Sequence, residues 1–214
     1  MQLPLTQACT WKGLLLLVSC MFLCIYVTAT PYDQIANEEL YDNVLSWSRR
    51  THRVAQKMYK VLDSKVTERV CFKNKKNNTC QSTSTHTVKI TEDLLKVIIN
   101  VSNAWIYPLK MLIPAVFIHL GSHDGMLARA IELSYGNKVV LEGAKILLSK
   151  IQPGIEENDY PDSDLWPDLK ELRSHNKSTH LPAFCKLFYC LRKDTKKIKC
   201  HLRALKHGII KNRC

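Results

Sequence analysis

The chain has 214 residues, with 31 Lys and Arg against 19 Asp and Glu, for a formal net charge of +12 at pH 7. That length holds one domain with a respectable core, and the cation excess selects anionic partners: sulfated glycans, acidic lipid or an acidic receptor face. An internal membrane anchor is excluded, because Pro108, Pro114 and charges interrupt every later apolar stretch before it reaches the about 20 residues a span needs.

At the N-terminus, Lys12 precedes an apolar run from Leu14 to Val27, and Val27-Thr28-Ala29 sets small residues around a cleavage site. Residues 1–29 are therefore expected to be a secretory signal peptide, since a run of about 14 residues is too short to span a bilayer. The expected product is a secreted, extracellular domain over residues 30–214, carrying about +11. The secretory route disfavours nucleic acid as a partner.

The first predicted helix reads Leu40, Val44, Trp47, Thr51, Val54, Met58, Val61, alternating steps of four and three. About 28 residues rich in Asn, Lys, Thr and Ser follow it. The second reads Leu94, Ile98, Val101, Trp105, Leu109, Leu112, Val116, and Thr91-Glu92-Asp93 suits its N-terminus. Pro108 and Pro114 inside it predict a kink or an early end. Only a handful of residues around Gly121 to Gly125 lead to the third, which reads Met126, Ala130, Leu133, Val140, Ala144, Leu147, Ile151. Asn137 occupies the missing step, and Pro153-Gly154 stops the pattern.

A second long connection, of about 22 residues with Pro153, Pro161 and Pro167, leads to the last helix. There Phe184, Phe188, Leu191, Ile198, Leu202, Leu205 and Ile209 share one face, while Arg192, Lys196, Lys199, Arg203 and Lys206 form a basic stripe. No stretch alternates as a strand does, so the domain is all-α. Long, short and long connections predict an up-up-down-down four-helix bundle of the long-chain cytokine type.

Three cysteines leave with the signal, and Cys71, Cys80, Cys185, Cys190, Cys200 and Cys214 remain, an even number for an oxidising compartment. Disulfides are expected, but spacing alone does not choose the pairs. Sequons at Asn77, Asn100 and Asn176 fit the same compartment; Asn100 requires the exposed side of the second helix.

Catalysis is not expected. His119 and His123 have the spacing of a zinc helix, but Leu120 stands where the motif needs Glu. Cys185 and Cys190 are too far apart for a CxxC redox pair. Asp159, Asp162, Asp164 and Asp168 lack the loop glycine and terminal Glu of an EF-hand, so the crossover reads as solvated and no metal or cofactor is expected.

Cys190-Leu191-Arg192-Lys193-Asp194 with Lys197-Ile198, Trp105 with Pro108-Leu109, Leu141-Glu142-Gly143, Leu40-Tyr41-Asp42 and Met58-Tyr59 resemble the growth hormone/prolactin family. The resemblance runs in order along the chain and is closest to diverged placental prolactin-like hormones. It implies a Cys80–Cys190 disulfide and a C-terminal pair, for which Cys200–Cys214 is expected. That leaves Cys71–Cys185 as an addition to the family pattern.

The resemblance also implies a receptor face on the first and fourth helices. Lactogenic members place histidines and an acid there; of the matching positions only His52 is histidine, and Arg49, Lys196 and Lys199 hold the rest. The expected contacts are Arg49, His52, Arg53, Arg192, Lys196, Lys199 and Arg203, with Gly143 in a second receptor-contact face. His52 without an acid beside it is not expected to hold zinc. The prolactin receptor is disfavoured by the same exchange. The rival partner is a heparan-type polymer on the basic stripe, with Lys73, Lys75 and Lys76 contributing.

Overall fold

The computed structural model describes residues 37–64, 80, 91–120, 125–154, 169–174 and 176–207. The chain divides into two compact units, Met1–Glu39 and Leu40–Cys214. Of the first, residues 37–39 are described, and they are helical. The second contains the bundle.

Helix α1 spans residues 37–64. The second predicted helix is two: α2, Thr91–Ala104, and α3, Ile106–Leu120. The break falls at Trp105, whose N–H reaches back to Ser102 O at 3.3 Å while its carbonyl accepts from Leu109 at 3.0 Å. Pro108 is the cause. Its ring would meet the carbonyl four residues earlier, so it is accommodated in the first turn of α3, where no N–H is needed. Pro114 lies within α3 without ending it.

Helix α4, Met126–Ile151, follows the predicted pattern end to end, opening on Gly125 at φ 64°. A short helix α5, Leu169–Leu172, lies before α6, Lys177–His207. Helix α6 starts about two turns before the apolar pattern does, because Asn176 caps it. The Asn176 side-chain oxygen accepts from Ser178 N at 3.0 Å and from the Ser178 hydroxyl at 2.8 Å.

Helix directions follow from two apolar clusters. One holds Leu45, Leu95, Leu147 and Leu202; the other holds Leu62, Val116, Met126 and Phe184. Thus α1 and the α2–α3 pair run from the first cluster to the second, and α4 and α6 run back. This is the up-up-down-down bundle. Burying each such side chain contributes about 1.5–3 kcal/mol against chain entropy.

Between the clusters lies a polar layer built by α1, α2, α4 and α6: Ser48, Thr51 and His52, then Ser102, then Asn137, then Asp194 and Thr195, all buried. Asn137 donates to Ser102 O at 2.8 Å, and the Trp105 indole donates to Asp194 at 2.9 Å. Asn137 thus fills a gap in the apolar pattern because its height in the bundle is polar. A cavity of about 10 Å³ sits there, lined by Ser48, Thr51, Asn137 and Thr195.

The Cys80–Cys190 disulfide is formed, with Cα atoms 5.3 Å apart, and ties the first crossover to α6. Cys185 is also disulfide-bonded; its expected partner, Cys71, lies outside the described residues. The Cys200–Cys214 expectation is corrected. Cys200 is a free, half-buried thiol, set in the straight run of α6, two turns short of where that helix ends at His207. Asn100 and Asn176 are exposed. Asn77, Lys73, Lys75, Lys76, His123 and the four crossover aspartates lie outside the described residues.

Candidate functional site

Helices α1 and α6 lie antiparallel, as three contacts at successive heights show. Lys206 pairs with Asp42, His52 meets Thr195 at 3.2 Å, and the Arg192 guanidinium covers the Tyr59 ring at 4.1 Å. Along the seam, Arg49, Arg53, Lys196 and Arg203 are exposed and Arg192 and Lys199 half-exposed.

His52 is the buried centre of this cationic ground, with 9% of its surface accessible. The Thr195 hydroxyl donates to Leu191 O at 2.7 Å, so it accepts from the N–H of His52 Nδ1. Burial, together with Lys199, Lys196 and Arg192, pushes the imidazole down to about 4. At neutral pH it is therefore an uncharged ring pinned behind fixed cations.

The structure brings His52, Arg192, Lys196 and Lys199 into one electrostatic group. Arg49, Arg53 and Arg203 lie on the same two helices and make no described contact with it. Arg192 carries a second task, sealing Tyr59, so its charge is partly spent on packing. Thr195 and Tyr59 were not foreseen. Their partners are far away in sequence, and no local pattern marks them.

Gly143 is corrected as a contact residue. It is buried, and a Cβ built on it would come within 2.2 Å of Val44 Cγ2, so it serves the close approach of α4 to α1. What α1 and α4 expose is a different group. Tyr135, 58% exposed, stands edge-on to Trp47 at 5.2 Å, and Arg50 covers Trp47 at 5.2 Å while pairing with Glu132. The Trp47–Arg50 spacing of three residues on one helix face is the signal that could have found it.

Among the described residues, no group of three His, Cys, Asp or Glu is close enough to hold a metal ion, and no helix is long and apolar enough to cross a membrane.

The sequence pattern of the somatotropin hormone family matches residues 16–214. Prolactin-3C1 of Rattus norvegicus is 75% identical over 213 residues, and that of Mus musculus 72% over 214, each covering 100% of both chains. Prolactin-3B1 of Mesocricetus auratus is 36% identical over 225 aligned residues, again across 100% of both. With the bundle topology and the Cys80–Cys190 bridge already in place, these matches are decisive: the chain belongs to the somatotropin hormone family, beside its prolactin-type members.

Proposed function

We propose that this chain is a secreted glycoprotein hormone, without catalytic activity, that binds a cell-surface receptor of the cytokine type through the α1/α6 face. The observation that carries this reading is the neutral His52 ringed by Arg192, Lys196 and Lys199, with Arg49, Arg53 and Arg203 exposed along the same seam. Such a face complements an acidic receptor surface and repels a basic one. It therefore discriminates against a receptor built for the histidine and acid of lactogenic relatives. A second receptor chain would dock on the α1/α4 side, where Trp47, Arg50 and Tyr135 have the composition of a binding hot spot.

Direct binding to cytokine-type receptor ectodomains, the prolactin receptor among them, tests the reading. Reversing charge with Arg49→Glu and Lys199→Glu should weaken binding to the true receptor by tenfold or more, chiefly through slower association. Unchanged association would overturn the assignment of this face. Secretion is checked by N-terminal sequencing of protein from the medium, which should begin at Thr30.

The same cations support a second reading, a matrix-binding factor that uses a sulfated polysaccharide. None of Arg49, Arg53, Lys196, Lys199 and Arg203 has an ion pair among the described residues. Polyanion binding should collapse between low and moderate salt, whereas receptor binding should keep a salt-resistant part from buried contacts.

A further inference from the structure

Helices α3 and α4 leave a groove of about 410 Å³ between them, which shares Tyr135 with the α1/α4 patch and otherwise lies apart from the α1/α6 face. Its apolar lining comes from Ile106, Leu109 and Ile113 on α3 and from Leu141, Ile131 and Tyr135 on α4. Ile131 is 52% exposed and Tyr135 58%, large apolar surface for a side chain to leave in water. Tyr135 is braced from behind by Trp47, so the wall is held in place.

Two cations, Lys110 and Lys138, line the groove, one from each helix. Both are exposed, and neither has an ion pair among the described residues. The one carboxylate in the lining, Glu142, is engaged by Lys145 at 3.7 Å.

We propose that this groove binds a single-chain anionic amphiphile, a long-chain carboxylic acid, with its tail along the apolar floor and its carboxylate between Lys110 and Lys138. The volume equals that of roughly 14 waters at about 30 Å³ each, room for an acyl chain. Such a ligand removes the exposed apolar wall from water and supplies the negative charge the two lysines lack. A second copy of the chain would not. It carries a formal charge of +12, so its surface brings more cations to a site that already has two.

The test uses the full secreted protein and the fluorescent fatty acid cis-parinarate, with its methyl ester as the uncharged counterpart. Saturable binding of one acid per chain is expected, at least tenfold tighter than the ester. Lys110→Gln with Lys138→Gln should weaken the acid at least tenfold and bring it level with the ester. Ile131→Glu, at an exposed position that leaves the fold intact by circular dichroism, should abolish binding of both. Lys196→Gln with Arg203→Gln should leave binding unchanged. Failure to saturate, equal affinity for acid and ester, or loss of binding in the Lys196/Arg203 variant alone would overturn the proposal. So would a dimer in sedimentation that Ile131→Glu dissociates, since that makes a second copy the occupant.

Discussion

His52 shows how a retained residue type can hide an altered chemistry. Its ring and that of His201 are both pushed down to about 4, His52 by burial and the cations of α6, His201 by burial and Lys197. The folded state thus takes up these protons later than the unfolded chain, whose histidines titrate near about 6.5. Stability is fully present above that value and falls as pH drops from about 6.5 towards about 4. Denaturant midpoints measured at pH 7.5 and pH 5 should differ markedly in the wild type. The difference should shrink in His52→Gln and shrink further when His201→Gln is added. A wild-type midpoint that does not move between the two pH values would contradict both assignments.

Gly143 makes the complementary point, that a position matched to a contact can serve packing. Val44 is β-branched and 1% exposed, so it cannot swing away from an added methyl. Gly143→Ala should cost about 1–3 kcal/mol by overpacking. Val44→Ala in the same chain should return part of that loss, giving a non-additive double-mutant cycle. Additive losses would mean the two do not touch.

Among the elements, α4 was legible in full because its apolar steps begin and end where the helix does, at Met126 and Ile151. The start of α6 was not. Asn176-Lys177-Ser178-Thr179 has the composition of a loop, and Pro182 follows within the helix. Only the capping geometry shows that these residues open a helix. The capping atom is the side-chain oxygen of Asn176, whereas a glycan would attach to its nitrogen, so one residue can do both. Asn176→Ala should lose the glycan and about 1 kcal/mol of stability. Asn176→Asp should lose the glycan alone, and Ser178→Ala should abolish glycosylation while its backbone N–H still donates to the capping oxygen of Asn176. Mass spectrometry with thermal melts separates the outcomes, and equal melting of Asn176→Ala and Asn176→Asp would refute the cap.

The α1/α6 seam was readable as charge and unreadable as geometry. The stripe of Arg192, Lys196, Lys199 and Arg203 follows from helical period alone. That Thr195 of the same helix fixes the His52 tautomer depends on a contact across 143 positions, which no local pattern encodes.

For the whole molecule, the decisive constraint is the covalent tie between the first crossover and α6. Cys80 is 3% exposed and Cys190 fully buried, and both sit in the apolar cluster with Phe184 and Phe188. The bridge closes a loop of 110 residues, which in the chain-entropy view restricts the unfolded state by about 5 kcal/mol. That is a large share of a typical domain's net stability, about 5–15 kcal/mol. Cys80→Ser with Cys190→Ser should therefore lower the denaturant midpoint severely and reduce the yield of secreted protein. Cys200→Ser should change neither, because that thiol closes no loop. Alkylation of the native protein followed by peptide mapping should modify Cys200 and spare Cys80 and Cys190 until a reductant is added. Protection of Cys200 in the native, unreduced protein, with a mapped bridge to another cysteine, would show that α6 carries a third bridged cysteine, beside Cys185 and Cys190.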